Sequence, residues 1–292
     1  MAAVDFVVGL AAALTASLLF NAGLVLQALE ARREPPELAL RLQLLLVLVK
    51  RWRWTLGLVL GLIGVAPQVL ALAKAPFVVV QPALTVGLLV VLAAGVRTLG
   101  ERVGLQVWLG VVAIIGGVAL VASGAAEHVE QHRGGITVIA VVAVPSAIAL
   151  VPFLVRGTRL DGGVLTMIAS GTGFAAANIA TKLMSDDAGL RHWLNAATWG
   201  AVALGAGVAA TITGMTAFQR VPATVVVPVT TAIQTFLPIL LEPLFLREKW
   251  SSTSLDGAVL AVGLAVALAG TVAVARAPAV GEVVATATVR RR

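Results

Sequence analysis

The chain has 292 residues, of which 59% are hydrophobic and only 12% charged, about half the charged share of an ordinary soluble domain. A water-soluble globule of this size has too little interior to hide that much apolar surface, which excludes soluble enzymes, DNA-binding modules and secreted disulfide scaffolds. The net charge of +7 comes from 21 Lys and Arg scattered through short connections between apolar runs, the distribution of a membrane protein and not of a nucleic-acid binder.

Apolar runs of about 20 residues predict spanning helices. In chain order they fall at about 6–28, 53–73, 77–97, 104–123, 134–155, 162–182, 193–217, 222–246 and 254–275, which makes nine. Trp52, Trp54, Trp108, Trp193 and Trp199 lie at or near the starts of these runs, and Trp250 lies in the connection before the last, as expected for rings that favour the headgroup layer. The opening MAAVDFVVGL has no basic residue ahead of its apolar core, which predicts a retained span and not a signal peptide. Residues 38–49 are apolar but few and contain Arg41; a helix of that length, roughly 18 Å, falls short of the ~30 Å hydrocarbon core and is expected to lie in the interface. With that segment not spanning and the N-terminus outside, the inner connections carry 15 of the 21 basic residues. If it spans, Arg41 is stranded in lipid and the other twenty divide 12 to 8. The bias favours nine spans in the cell membrane, with the N-terminus outside and the C-terminus cytoplasmic.

The sequence also repeats itself. ALAKAPFVVVQPALT at 71–85 matches AFQRVPATVVVPVTT at 217–231, pairing Pro76 with Pro222, Pro82 with Pro228 and Thr85 with Thr231. One inserted residue later, Glu101 pairs with Glu248, Gly110 with Gly257 and Gly116 with Gly263; a weaker match sets Phe20-Asn21 against Ala177-Asn178. Matched positions lie five spans apart, an odd number, so the two halves have opposite orientation in the bilayer, the arrangement of inverted-repeat carriers. The expected fold is an all-α polytopic membrane bundle of about nine helices. Residues 1–123 form the first repeat, 124–161 an outer loop and connector helix, 162–275 the second repeat and 276–292 a cytoplasmic tail.

The small-residue first helix, the run A-x-x-x-A-P-x-x-x-V-Q-P at 71–82 and LGER at 99–102 before a Gly-rich helix resemble the drug/metabolite transporter superfamily with its EamA-type repeats. The nine-span layout and SGTGFAAANIATK at 170–182 resemble its NIPA-like magnesium transporter branch and bacterial relatives. The resemblance covers about 6–275. It implies an inner or plasma-membrane carrier with the substrate path between two halves, in a superfamily that handles nucleotide sugars, amino acids, drugs and ions.

Polar side chains deep in lipid are costly and are therefore candidates for a path. The substrate-binding candidates are Asn21, Gln68, Gln81, Thr85, Asn178, Thr231 and Gln234, with Ser17, Thr172, Thr211, Thr213 and Thr230 as further polar positions. Amides offer donors and acceptors without a fixed countercharge, which suits a neutral or zwitterionic solute; the same amides can instead bridge helices. Pro82 and Pro228, inside matched helices, each remove a backbone donor and mark kinks or helix breaks. None of the 14 acids falls near the centre of a span, which weakens the expectation of a magnesium path. His128 and His132 sit in the loop 124–135 with Glu127 and Glu130, a spacing that is weak as a metal motif; no metal site is assigned. Glu101 beside Arg102, and Glu248 between Arg247 and Lys249, are expected to form helix-end ion pairs of small energy, with gate latches as the alternative. The Gly57/Gly61 pair reads as a close helix approach. No G-x-S-x-G, H-E-x-x-H or phosphate-binding glycine loop is present, so no enzymatic activity and no cofactor are expected. The implied partners are the lipid bilayer and a small polar solute or ion. The alternatives to a solute carrier are a NIPA-like magnesium transporter and an accessory membrane subunit that transports nothing.

Overall fold

A computed structural model describes residues 2–75, 80, 83–101, 103–124, 136–158, 160–245 and 257–276. All regular structure among them is helical. The helices are α1 (Ala2–Ala31), α2 (Leu42–Leu48), α3 (Trp52–Lys74), α4 (Leu88–Thr98), α5 (Leu105–Gly124), α6 (Ile136–Leu154), α7 (Gly163–Gly189), α8 (Trp193–Arg220), α9 (Ala223–Phe245) and α10 (Ala258–Ala275), with a short 3-10 turn at Pro36–Leu38. Seven of them are long and apolar enough to cross a membrane, namely α1, α3, α5, α6, α7, α8 and α10. The segments Ala83–Thr98 and Ala223–Pro238 are shorter apolar helices. The chain is thus consistent with a multi-pass membrane protein. Many large apolar side chains face outwards, among them Leu62, Leu109, Val144 and Leu204, as lipid requires and water forbids.

The segment around 38–49 does not become a span. Its helix, α2, has seven residues, roughly 10 Å of rise, about a third of the hydrocarbon thickness.

Three antiparallel pairs dominate the packing: α1 with α3, α7 with α8, and α5 with α10. Their backbones come close because small residues line the contact. A Cβ on Gly57 would lie 2.5 Å from the Gly23 carbonyl oxygen across the α1–α3 contact, whereas Gly61 faces open space, so only one member of that predicted glycine pair serves the approach. In the α5–α10 pair, a Cβ on Gly117 would lie 2.7 Å from the Gly263 oxygen and one on Gly270 would lie 2.6 Å from the Gly110 oxygen. Contacts that pair 110 with 270 and 117 with 263 run in opposite directions, which makes the helices antiparallel. Gly116, the position matched to Gly263 by sequence, meets nothing within 4 Å; its neighbour Gly117 makes the contact.

The apolar core is unevenly divided. The largest cluster draws on both halves, from Leu44, Leu88, Leu92 and Ile114 to Phe218, Val225, Phe236 and Leu264. It lies where α1 ends, α3 begins, α8 ends and α9 begins, and continues along α5 and α10. Two smaller clusters sit towards the other end. One is built within the first half by Ala12, Ala13, Ala71, Ala75, Val80 and Ala83. The other joins the connector helix to the second half through Val138, Val142, Ile179 and Leu183, with Trp199 and Leu241 against it. Among the described residues the two halves therefore share a core at one end and along α5–α10, and have separate cores at the other.

Candidate functional site

The end with the shared core is also the basic end, carrying Arg32, Arg33, Arg41, Lys50, Arg51, Arg53, Arg97, Arg156, Arg220 and Arg276. Its centre is Glu101, whose side chain is only 5% exposed. The carboxylate accepts hydrogen bonds from the backbone N–H of Ala223 at 2.7 Å and of Thr224 at 2.9 Å, and from the Thr224 hydroxyl. The first amides of a helix lack intrahelical acceptors and carry partial positive charge, so a carboxylate from the α4–α5 connection caps α9. Arg32, just past the end of α1, pairs with the same carboxylate. It also donates Nε to the Phe218 carbonyl at 3.2 Å and Nη2 to the Val221 carbonyl at 3.3 Å, using the orphan acceptors at the end of α8. Both Glu101 oxygens and Arg32 Nε and Nη2 have partners, as burial of polar atoms requires. Gly95 permits the approach: a Cβ there would collide with the Thr224 methyl and stand 3.0 Å from Glu101 Oε2.

Further bonds tie the halves at this end. Gln219 donates to the Glu34 carbonyl at 3.2 Å, the Leu40 amide donates to Thr216 Oγ1 at 3.0 Å, and Trp54 Nε1 points at Met215 Sδ at 3.2 Å. Gln106 Nε2 reaches the Ala273 carbonyl at 2.7 Å, and Arg156 reaches the Glu37 carbonyl. The carboxylates nearby are matched within each half: Glu30 with Arg33 at 2.7 Å, Glu34 with Arg51 at 2.8 Å, and Asp161 with Arg220. The hydrogen bonds of Arg32, Leu40, Trp54, Glu101, Gln106 and Gln219 to residues 215–273 or 34–35 thus lie at this basic end. At the other end Lys74 pairs with Asp5 at 2.7 Å within the first half, and His192 Nδ1 lies 3.4 Å from Asp187 within the second. Arg102, beside Glu101 in sequence, lies outside the described residues, and Glu101 pairs with the distant Arg32. The Glu101 contact with α9 spans 122 residues of sequence, and no local pattern announces Arg32 or Thr224 as partners.

The predicted path residues separate into three groups. Asn21 is buried, donates Nδ2 to the Ser17 carbonyl at 2.9 Å, and lies against Gly87, where a Cβ would strike both Asn21 Nδ2 and Ser17 Oγ. Ser17 spans a turn that interrupts the helix at Val86–Gly87, accepting the Gly87 amide at 2.8 Å and donating to the Leu84 carbonyl. Thr85, also buried, directly precedes the same turn. Gln68, Thr231 and Gln234 are half-buried and make no hydrogen bond among the described residues. By contrast, Thr172, Thr211, Thr213 and Thr230 return their hydroxyls to carbonyls of their own helices at 2.8–3.1 Å. Their polarity is satisfied locally and points to no ligand.

Asn178 differs from expectation. It is exposed on α7, beside exposed Thr181, while Ala175, Ala176, Ile179 and Ala180 fill the buried face. The structure does not bring it to a polar partner as it does Asn21. The physical reason is the helical period: a mismatch of a few residues in aligning α1 with α7 rotates a side chain to the opposite face. Pro228 is buried inside α9, which stays helical from Ala223 to Phe245. Gln81, Pro82, Pro76, Glu248, the histidines of the 124–135 loop and the tail beyond Arg276 lie outside the described residues. No group of three or more His, Asp or Glu able to hold a metal occurs among the described residues. Comparison with protein-family models, with curated proteins and with solved structures finds no match to this chain.

Proposed function

We propose that this protein is a secondary carrier of a small polar solute, with two inverted halves that alternate access, as its resemblance to the drug/metabolite transporter superfamily implies. The observation that carries the reading is the unequal joining of the halves. They share a core and the hydrogen bonds of Glu101 and Gln219 at the basic end, and have separate cores at the other. Alternating access needs such a state, closed on one side while the halves part on the other, and a competing state with the closure exchanged. The antiparallel α5–α10 contact also fits an inverted duplication, since these helices occupy matched positions in the two repeats and would cross each other on the pseudo-two-fold axis. On the nine-span reading the basic end faces the cytoplasm, where basic connections are retained.

In this reading Asn21 and Thr85 on one side, and Thr231 and Gln234 on the other, hold the solute by neutral hydrogen bonding, with Gln81 in the matched segment. The experiment is uptake into proteoliposomes of the purified chain. Zwitterionic amino acids are presented as labelled solutes, and Mg²⁺ is followed with a trapped magnesium-sensitive dye. Saturable uptake of an amino acid that Asn21→Ala and Gln234→Ala each abolish, with melting retained, supports the proposal. Saturable Mg²⁺ entry would replace it with the magnesium reading. No uptake together with stoichiometric copurification of a partner would make the chain an accessory subunit.

A further inference from the structure

The connection between α1 and α3 carries a surface that neither the bundle nor the carrier cycle explains. On α2, Leu44 and Leu48 are fully buried against the bundle, one turn apart on a single face. The opposite face is apolar yet bare, with Leu42 57% and Leu46 58% exposed, and the apolar surface continues past the helix to Val49 at 55% and to Trp52, the first residue of α3, at 69%. A helix that is apolar on both faces is stable at a protein surface only where the outer face meets something other than water. The stripe is bracketed by exposed basic residues, Arg41 at the start and Lys50 at the end, and Arg53 lies over the Trp52 ring at 5.4 Å from its centroid.

Of the described acids near α2, Glu30 lies beside Arg33 and Arg53 and Glu34 pairs with Arg51, while exposed Glu37 makes no ion pair among the described residues. Arg41 and Lys50 have no ion pair among the described residues. An apolar stripe flanked by uncompensated cations matches a phospholipid, whose acyl chains cover the stripe while an anionic headgroup meets the cations.

We propose that the α2 ledge is a binding site for an anionic phospholipid of the bilayer, with Arg41 and Lys50 holding the headgroup and Leu42, Leu46, Val49 and Trp52 taking the acyl chains. The ledge is fastened to the second half by the Leu40 amide on Thr216 and by Gln219 on the Glu34 carbonyl. A lipid seated there therefore stabilises the joined basic end, whatever solute the protein moves. The test is a titration of the full chain in neutral detergent with short-chain phosphatidylglycerol, short-chain phosphatidylcholine or inorganic phosphate, read by native mass spectrometry. Phosphatidylglycerol is expected to bind more tightly than phosphatidylcholine. Arg41→Gln with Lys50→Gln should weaken it about 25-fold, from about fivefold for each basic residue near an anionic headgroup. Arg97→Gln with Arg276→Gln, the same charge change at the same end, should weaken it less than fivefold. Equal binding of the two lipids, equal losses in the two double variants, or full competition by inorganic phosphate would each overturn the site. Because all four side chains are exposed, melting should be unchanged in both variants, and a fall in melting for the ledge variant alone would mark Arg41 and Lys50 as structural.

Discussion

Glu101→Gln is the most informative single change. Removing one member of a buried ion pair costs about 3–5 kcal/mol. Here Arg32 is 24% exposed and water screens part of that loss, while glutamine still offers one acceptor to the amides of α9. The expected net cost to the joined basic end is about 2–3 kcal/mol, from hydrogen bonds to a charged acceptor that become bonds to a neutral one. If that free energy separates the joined state from one opened at the basic end, the opened population rises roughly 30- to 140-fold. The absence of cysteine in the chain makes this measurable. Val225 lies in the first turns of α9 and is fully buried, so Val225→Cys is a reporter on an otherwise unreactive protein. A membrane-impermeant maleimide applied from the basic side should label it slowly, and faster by about that factor once Glu101→Gln is added. Arg32→Gln should give a similar acceleration, and the double variant less than the product of the two, since both act on one interaction. Unchanged labelling with a lowered melting temperature would refute the argument: Glu101 would then stabilise α9 without holding the end closed.

Neighbouring glycines should behave oppositely. Gly117→Ala drives a methyl into the Gly263 backbone and should cost about 1–3 kcal/mol by thermal melting, whereas Gly116→Ala, in open space, should be neutral or slightly stabilising. Ser17→Ala leaves the Gly87 amide and the Leu84 carbonyl without their partner and should lower stability by about 1–3 kcal/mol. Asn178→Ala should change stability by no more than about 0.5 kcal/mol and leave transport intact, while Asn21→Ala abolishes uptake; the reverse ranking in the proteoliposome assay would sink the assignment of Asn21 to the path.

Much of the architecture is legible in the sequence, for a physical reason. In lipid the backbone must satisfy its own hydrogen bonds, so long apolar runs have little choice but to be helices. The elements predicted at 6–28, 53–73, 104–123, 134–155, 162–182, 193–217 and 254–275 each fall on a helix long enough to cross. The shortness of α2 followed from residue count alone. The runs at 77–97 and 222–246 appear in part, as the shorter apolar helix Ala83–Thr98 and as α9 from Ala223 to Phe245.

What the chain cannot express locally is which polar groups meet. Asn21 and Asn178 look alike in sequence, yet one lies buried against Gly87 and the other is exposed, because a shift of a few residues turns a helix face by a large angle. Four threonines resemble path residues until their hydroxyls are seen to fold back on their own helices. Above all, Glu101 meets Arg32 and the first amides of α9 only through the packing of elements 69 to 123 residues apart. Apolar periodicity and charge bias, both short-range properties, determined the helices and their expected orientation. The joined basic end, the separate cores opposite it and the bare apolar face of α2 were decided by tertiary packing, since each depends on which side chains distant segments bring together.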